Sequence, residues 1–201
     1  MHISEGVLSG PVLVAGMAFA VSGTAIGLKK MDYDHIPQTG ILAAAFFVAS
    51  LIHVPIGPSS IHLVLSGIVG LLLGWGAFPA ILVALLLQAV FFQFGGITTL
   101  GVNTVIMALP ALLCYYLFGP FALSRKPIAL VTAFACGFLS VFFGAILAAL
   151  SLVFTEEGFL KASMLLAISH VPVMIIEGII TSSCVAFLRK VSPAMLPGYL
   201  E

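Results

Sequence analysis

The second residue of the chain is a histidine, and a histidine in that place can bind a metal in a way no other position allows. The α-amine of Met1, the backbone amide nitrogen of His2 and the imidazole Nδ1 of His2 can all reach one ion, closing a five- and a six-membered ring in one plane. A fourth nitrogen would complete a square, the geometry that marks Ni(II) or Cu(II) among divalent ions. The amine must be unprotonated, and a bound cation lowers its pKa as it lowers that of bound water. A formyl or acetyl group would destroy the chelate. A side chain as bulky as His after the initiator disfavours its removal, so Met1 is expected to stay. Against this stands the common case, in which a histidine at position two does nothing.

Candidates for the fourth nitrogen are few. His62 is the best, because it follows Gly57-Pro58-Ser59-Ser60 at an expected helix start, where Ser59 or Ser60 can cap orphan amides. A buried histidine bonded within a bundle is the plainer reading of the same residue. His53, in Ile52-His53-Val54-Pro55, competes with it but reads as an orienting or packing residue. Glu5, Ser60, Gln93 and Asn103 are pocket candidates, since metal-bound imidazoles usually give their other N–H to such groups. An ordinary cap or loop hydrogen bond explains each of them equally well. His170 and Glu177 stand seven apart, hence on one face of a helix, and suit a polar stripe toward the bundle or a partner subunit. His35 falls in the polar stretch Asp32-Tyr33-Asp34-His35 and is expected to be solvated.

The elements that position these residues follow from composition. Of 201 residues, 62% are hydrophobic and 7% charged, against about 25% charged in a soluble domain. Apolar stretches recur along the whole length, so the expected class is an all-α, polytopic membrane protein. Breakers divide it into segments at roughly 11–28, 39–53, 60–74, 79–93, 103–119, 128–153 and 163–188. The expectation is one integral membrane domain over 1–201, a compact bundle of about seven transmembrane helices, with a metal-binding segment at 1–10. The third and fourth segments are short, which suits helices broken at one face, and no alternating β-barrel pattern occurs. Gly23-x-x-x-Gly27 and Gly70-x-x-x-Gly74 offer faces for close packing.

Lys29-Lys30, Arg125-Lys126 and Arg189-Lys190 share one side in a seven-span count. The positive-inside rule makes that side cytoplasmic, with the N-terminus outside and the C-terminus inside. His53, His62, Gln93 and Asn103 then gather at the outer boundary beside the N-terminal segment, while His170 and Glu177 lie away from it. The first residues lack a basic stretch, so cleavage as a signal peptide is not expected. Cys114, Cys136 and Cys184 lie in apolar runs and read as core residues. Zero net charge with seven Lys plus Arg argues against a nucleic-acid partner. No P-loop is present, so ATP hydrolysis would need another chain. H-E-x-x-H and G-x-S-x-G are absent, which weakens an intramembrane metalloenzyme. A proton-coupled secondary transporter relaying through His170 and Glu177 is the stronger alternative, although no two-half symmetry is evident.

Met1-His2-Ile3-Ser4-Glu5-Gly6-Val7-Leu8-Ser9 resembles the opening of the CbiM/NikM family, the substrate-binding membrane (S) components of energy-coupling-factor nickel and cobalt importers. Pro58-Ser59-Ser60-Ile61-His62-Leu63, the run Phe94–Asn103, His170-Val171-Pro172 and Ile176-Glu177-Gly178 are similar to further family motifs, so the resemblance spans the chain. It implies a seven-helix bundle whose N-terminus inserts into the pocket, with Met1, His2 and His62 as ligands. The transported substrate would be Ni2+ or Co2+, with no organic cofactor. Implied partners are a transmembrane T subunit, ATPase subunits and a small companion membrane subunit, in a prokaryotic cytoplasmic membrane. Gly57-Pro58-Ser59-Ser60 departs from the Gly-Gly-Thr-Ser of many members and looks more like the nickel type.

Overall fold

The computed structural model describes residues 2–56, 59–124, 127–156, 158 and 160–196; residues 53–56, 59–61, 160, 162, 163, 166, 167 and 194 are described by backbone alone. Helices dominate: α1 (Gly10–Lys30), α2 (Ile36–Ala49), α3 (Ser66–Leu73), α4 (Ala77–Phe92), α5 (Leu100–Ala122), α6 (Ala129–Val153), α7 (Leu160–Ser169) and α8 (Val171–Val191). Among the described residues five stretches are long and apolar enough to cross a membrane: Gly10–Lys30, Ser66–Phe92, Leu100–Ala122, Ala129–Val153 and Val171–Val191. Large apolar side chains such as Val14, Phe19, Phe91 and Val131 lie exposed on the outside of the bundle, an arrangement water would not tolerate over so wide a surface.

Three of the expected segments take another form. Residues 60–74 do not make one helix. Strands β1 (His53–Ile56) and β2 (Ser59–His62) pair antiparallel, and α3 begins only at Ser66. Pro55 and Pro58 remove two donors and disfavour helix on either side. Pairing across the hairpin satisfies backbone groups that would otherwise be stranded. Residues 39–53 give a helix of 14 residues that ends at Ala49. The last segment, 163–188, breaks at His170 into α7 and α8, with Pro172 in the first turn of α8, where its missing N–H costs nothing.

The stretch 66–92 is one apolar run but two antiparallel helices. Gly70 packs on Ala111 and Gly74 on Tyr115, so α3 descends beside α5; Trp75 then lies against Gly27 and Phe78 against Gly23, so α4 climbs back along α1. Gly74, at φ +51°, makes the reversal, a conformation that favours glycine. Of the five apolar stretches this one is the most buried and α1 the least. Glu177 of α8 meets Leu65 and Thr181 meets Gly67, so α8 descends beside α3. Lys29-Lys30 and Arg189-Lys190 therefore finish their helices at the end of the bundle opposite His2, where cations suit the helix dipole. Arg125 and Lys126 lie outside the described residues. Cys114 and Cys136 are buried and Cys184 half-buried, all as free thiols.

At the other end the N-terminal segment runs into the core. Ile3 and Leu8 are buried among α4, α5 and α6 residues such as Leu85, Val102 and Ala148. The segment is thus held by packing before any ligand is considered.

Candidate metal centre

Ile3 is fixed from both sides by one side chain. Its N–H donates to Asn103 Oδ1 at 3.0 Å, and Asn103 Nδ2 donates to its carbonyl at 3.0 Å. Asn103, 2% exposed, is held in turn by Thr99 Oγ1 at 3.2 Å. A side-chain amide clamped on a backbone this way acts like one rung of a β-ladder. It sets the position of the residue just before it, His2.

The loop between α4 and α5 forms the other wall. Glu5 N–H donates to the Gly95 carbonyl at 2.9 Å, and the Glu5 carboxylate accepts from Thr98 N–H at 2.9 Å and Thr98 Oγ1 at 3.2 Å. Glu5 is exposed, and the Thr98 backbone N–H, then its hydroxyl, hold the carboxyl below its ordinary pKa. The close approach needs Gly95 and Gly96, at φ +74° and +123°. A Cβ on Gly95 would stand 2.7 Å from Asn103 Nδ2, and one on Gly96 would run into the Glu5 side chain.

His2 and His62 meet in the space so framed, with ring centroids 4.7 Å apart. The hydrogen-bond polarity fixes which ring nitrogens donate outward. Ser50 Oγ donates to the Phe47 carbonyl at 2.8 Å, so it accepts from Gln88 Nε2 at 2.5 Å. That turns Gln88 Oε1 to His2 Nε2 at 2.8 Å. An oxygen can only accept, so His2 Nε2 donates to it. Likewise His62 Nδ1 donates to the Leu63 carbonyl at 3.1 Å, which leaves His62 Nε2 as an acceptor. His2 Nδ1 and His62 Nε2 face each other at hydrogen-bond distance, 3.0 Å. A cation in place of the proton between them would find both ring nitrogens turned toward it. Nitrogens about 2.0–2.1 Å from an ion and at right angles would lie roughly 2.8–3.0 Å apart, so the spacing matches adjacent corners of a square.

The sequence candidates fall into distinct groups. His2, His62, Asn103 and Glu5 share one end of the bundle. Met1 lies outside the described residues. His53 and Ser60 have their backbones in the hairpin, opposite His62 and Pro55 respectively, while their side chains lie outside the described residues. Gln93 is exposed, ending α4 in a left-handed conformation at φ 58°. His170 is buried just ahead of α8. Glu177, expected away from the N-terminus, instead reaches the backbone beside His62 (Val64 and Leu65), because α3 starts so late that this backbone passes in front of α8. Sequence reasoning missed Gln88 and Ser50, both fully buried. A glutamine five residues inside an apolar run was the available signal for Gln88. Among the described residues no three His, Cys, Asp or Glu side chains gather.

Comparison with known proteins agrees with this picture. A family named CbiM, described as the cobalt uptake substrate-specific transmembrane region, matches residues 2–195. A Haemophilus influenzae protein named for metal transport is 43% identical over 199 residues, covering 98% of this chain and 97% of that one. A fused nickel transport protein, NikMN, of Rhodobacter capsulatus is 41% identical over 114 residues, 54% of this chain and 33% of its own. A crystal structure of a transition metal transporter superposes with a TM-score of 0.80 at 25% identity, covering 95% of this chain and 93% of the other.

Proposed function

We infer the function of this chain from its membership: it belongs to the CbiM family of metal transport proteins, which are not enzymes. On that premise it is a multi-pass membrane protein of transition-metal uptake. We propose that the substrate ion, Ni2+ or Co2+, is captured by four nitrogens in a plane: the Met1 amine, the His2 amide and Nδ1, and His62 Nε2. The observation that carries this reading is the 3.0 Å gap between His2 Nδ1 and His62 Nε2, whose rings give their protons to Gln88 and Leu63. Those outer bonds orient the ligand rings, and the Asn103 clamp on Ile3 holds His2 at the pocket.

A planar four-nitrogen set selects by geometry. Zn(II) prefers a tetrahedron, and Ca(II) and Mg(II) prefer oxygen ligands. Cu(II) accepts the same square at least as tightly, so its exclusion belongs to availability and handover. Nickel is the preferred cargo, from the Gly57-Pro58-Ser59-Ser60 run and the similarity to a nickel transport protein. In this reading α3 and α4 each count as a crossing, giving seven with α1, α2, α5, α6 and the broken α7–α8. The Lys29-Lys30 and Arg189-Lys190 end faces the cytoplasm, so the ion enters from outside a prokaryotic inner membrane. The chain acts as the S component of an energy-coupling-factor transporter, beside a T subunit, ATPase subunits and a companion subunit that supply the drive.

A proton relay through His170 and Glu177 fits less well. Glu177 Oε1 is committed to the backbone of residues 64 and 65, and seven helical residues put the pair about 10 Å apart along the axis. Nickel titration of the purified full chain tests the proposal. A diamagnetic, yellow-absorbing centre at one ion per chain is expected, and a paramagnetic six-coordinate centre would overturn it.

A further inference from the structure

Glu177 is fully buried on α8 and spends one carboxylate oxygen on backbone outside its own helix. Oε1 accepts from the N–H of Val64 and, at 2.8 Å, from the N–H of Leu65. These residues form the bridge between β2, which ends at His62, and α3, which starts at Ser66. The bridge is not a relaxed one: Leu65 sits at φ 54°, in the left-handed region that a branched side chain rarely adopts. The carbonyl that fixes the His62 tautomer, Leu63 O, lies in the same bridge. Behind Glu177 the helix is held against α6, since a Cβ on Gly137 would stand 2.5 Å from the Glu177 carbonyl. The second oxygen, Oε2, is buried and finds no partner among the described residues. Among the described residues its hydrogen bonds go to the bridge, with the packed α6–α8 pair as its anchor.

We propose that Glu177 is a positioning residue for metal capture: by holding the 63–65 backbone it sets the place of His62 Nε2 and the orientation of the carbonyl that keeps His62 in its ligating tautomer. The inference rests on His62 being the fourth ligand. It also gives α8 a mechanical link to the site, since a shift of α8 would move a ligand through two hydrogen bonds.

The test uses the full chain, with nickel titrations followed by visible absorption in Glu177→Ala, Glu177→Gln, His62→Ala and the His62→Ala/Glu177→Ala double variant. Partners that orient a ligand typically cost about ten- to a hundredfold in affinity when removed, and Glu177→Ala is expected to fall there. Its band should move to longer wavelength as imidazole gives way to water. Glu177→Gln keeps an accepting oxygen and should hold the native band with less than about a threefold loss. In the His62→Ala background the Glu177→Ala step should change affinity by less than about twofold, because the residue acts through His62. An unmoved band in Glu177→Ala, an equal loss in Glu177→Gln, or an undiminished step without His62 would each overturn the proposal. Should Glu177→Ala not fold, Glu177→Asp keeps the charge and retracts the oxygen by one methylene. It should shift the band in the same sense, and a native band would overturn the proposal as well. Native affinity in His62→Ala would instead sink the four-nitrogen site itself.

Discussion

At one end of the bundle His2, Ser50, His62, Gln88 and Asn103 bond to one another or to fixed backbone groups. At the other, a cavity of about 390 Å3 is lined by Lys30, Asp32, His35, Thr39, Trp75 and Tyr116. Both ends hold histidine, and both lie beside a loop with a glycine at positive φ, Gly74 here and Gly95-Gly96 there. They differ in what surrounds the donors. His35 and Asp32 are exposed or nearly so, Lys30 Nζ stands 4.9 Å over the Trp75 ring, and the Trp75–Tyr116 hydrogen bond of 2.8 Å is itself exposed. Water competes for every one of those groups, so neither tautomer nor rotamer is fixed. Around His2 both ring nitrogens already have protein partners, His62 and Gln88, at 3.0 and 2.8 Å. A residue type gives no site by itself; a buried chain of donors and acceptors does.

The contrast can be broken most sharply by paired substitutions. His62→Ala should cause the largest loss. A four-ligand site is worth about 10–16 kcal/mol, so one ligand accounts for roughly 2.5–4 kcal/mol, about a hundred- to a thousandfold in nickel affinity. His35→Ala, at the other end, should leave a nickel titration unchanged. Gln88→Leu comes next. It removes the acceptor that fixes the His2 proton, and a loss of about ten- to a hundredfold is expected, read by the same titration. Trp75→Phe deletes an exposed hydrogen bond at the other end and should leave nickel affinity nearly untouched.

Backbone space separates the ends by a smaller margin. Gly96→Ala meets Glu5 at φ +123°, and strain of about 1–3 kcal/mol should weaken nickel binding on the order of tenfold. Gly40→Ala, with open space around its Cβ site, should not change it. Glu5→Gln has the least effect. The Glu5 carboxyl titrates below its ordinary value because it accepts from Thr98, so its contribution is present above about pH 4.3 and disappears only as pH falls through the lower folded value. Amide exchange at Thr98 should be faster in Glu5→Gln at neutral pH, and the difference should close only in acid below that range.

Much of this could be read from the residues. Apolar run lengths and the scarcity of charge led to a helical membrane protein, and placing Asn103 and His62 on the N-terminus's side grouped two of the residues that the structure joins. The misses have physical causes. The strand pair of residues 53–56 and 59–62 fell across the break between the expected segments 39–53 and 60–74, where short buried strands and helix ends share a composition and Pro55 and Pro58 signalled only an interruption. Gln93 drew attention by standing at a span boundary, yet Gln88 is the one that touches His2. A polar side chain well inside lipid depth needs a partner more than one at the edge does. Glu177 was placed by helical periodicity alone, which shows that it shares a face with His170 but cannot show that the backbone of residues 64 and 65 crosses that face.

The most direct test leaves every side chain in place. Nickel is titrated into the full chain with a free Met1 amine and into the same chain acetylated at Met1. Acetylation converts the Met1 amine to an amide and removes it as a ligand without touching His2, His62 or Gln88. The account predicts a diamagnetic, yellow-absorbing, tightly bound ion in the first protein and its loss in the second. Equal binding by both would contradict it and leave the meeting of His2 with His62 without the terminal nitrogen on which the proposed square depends.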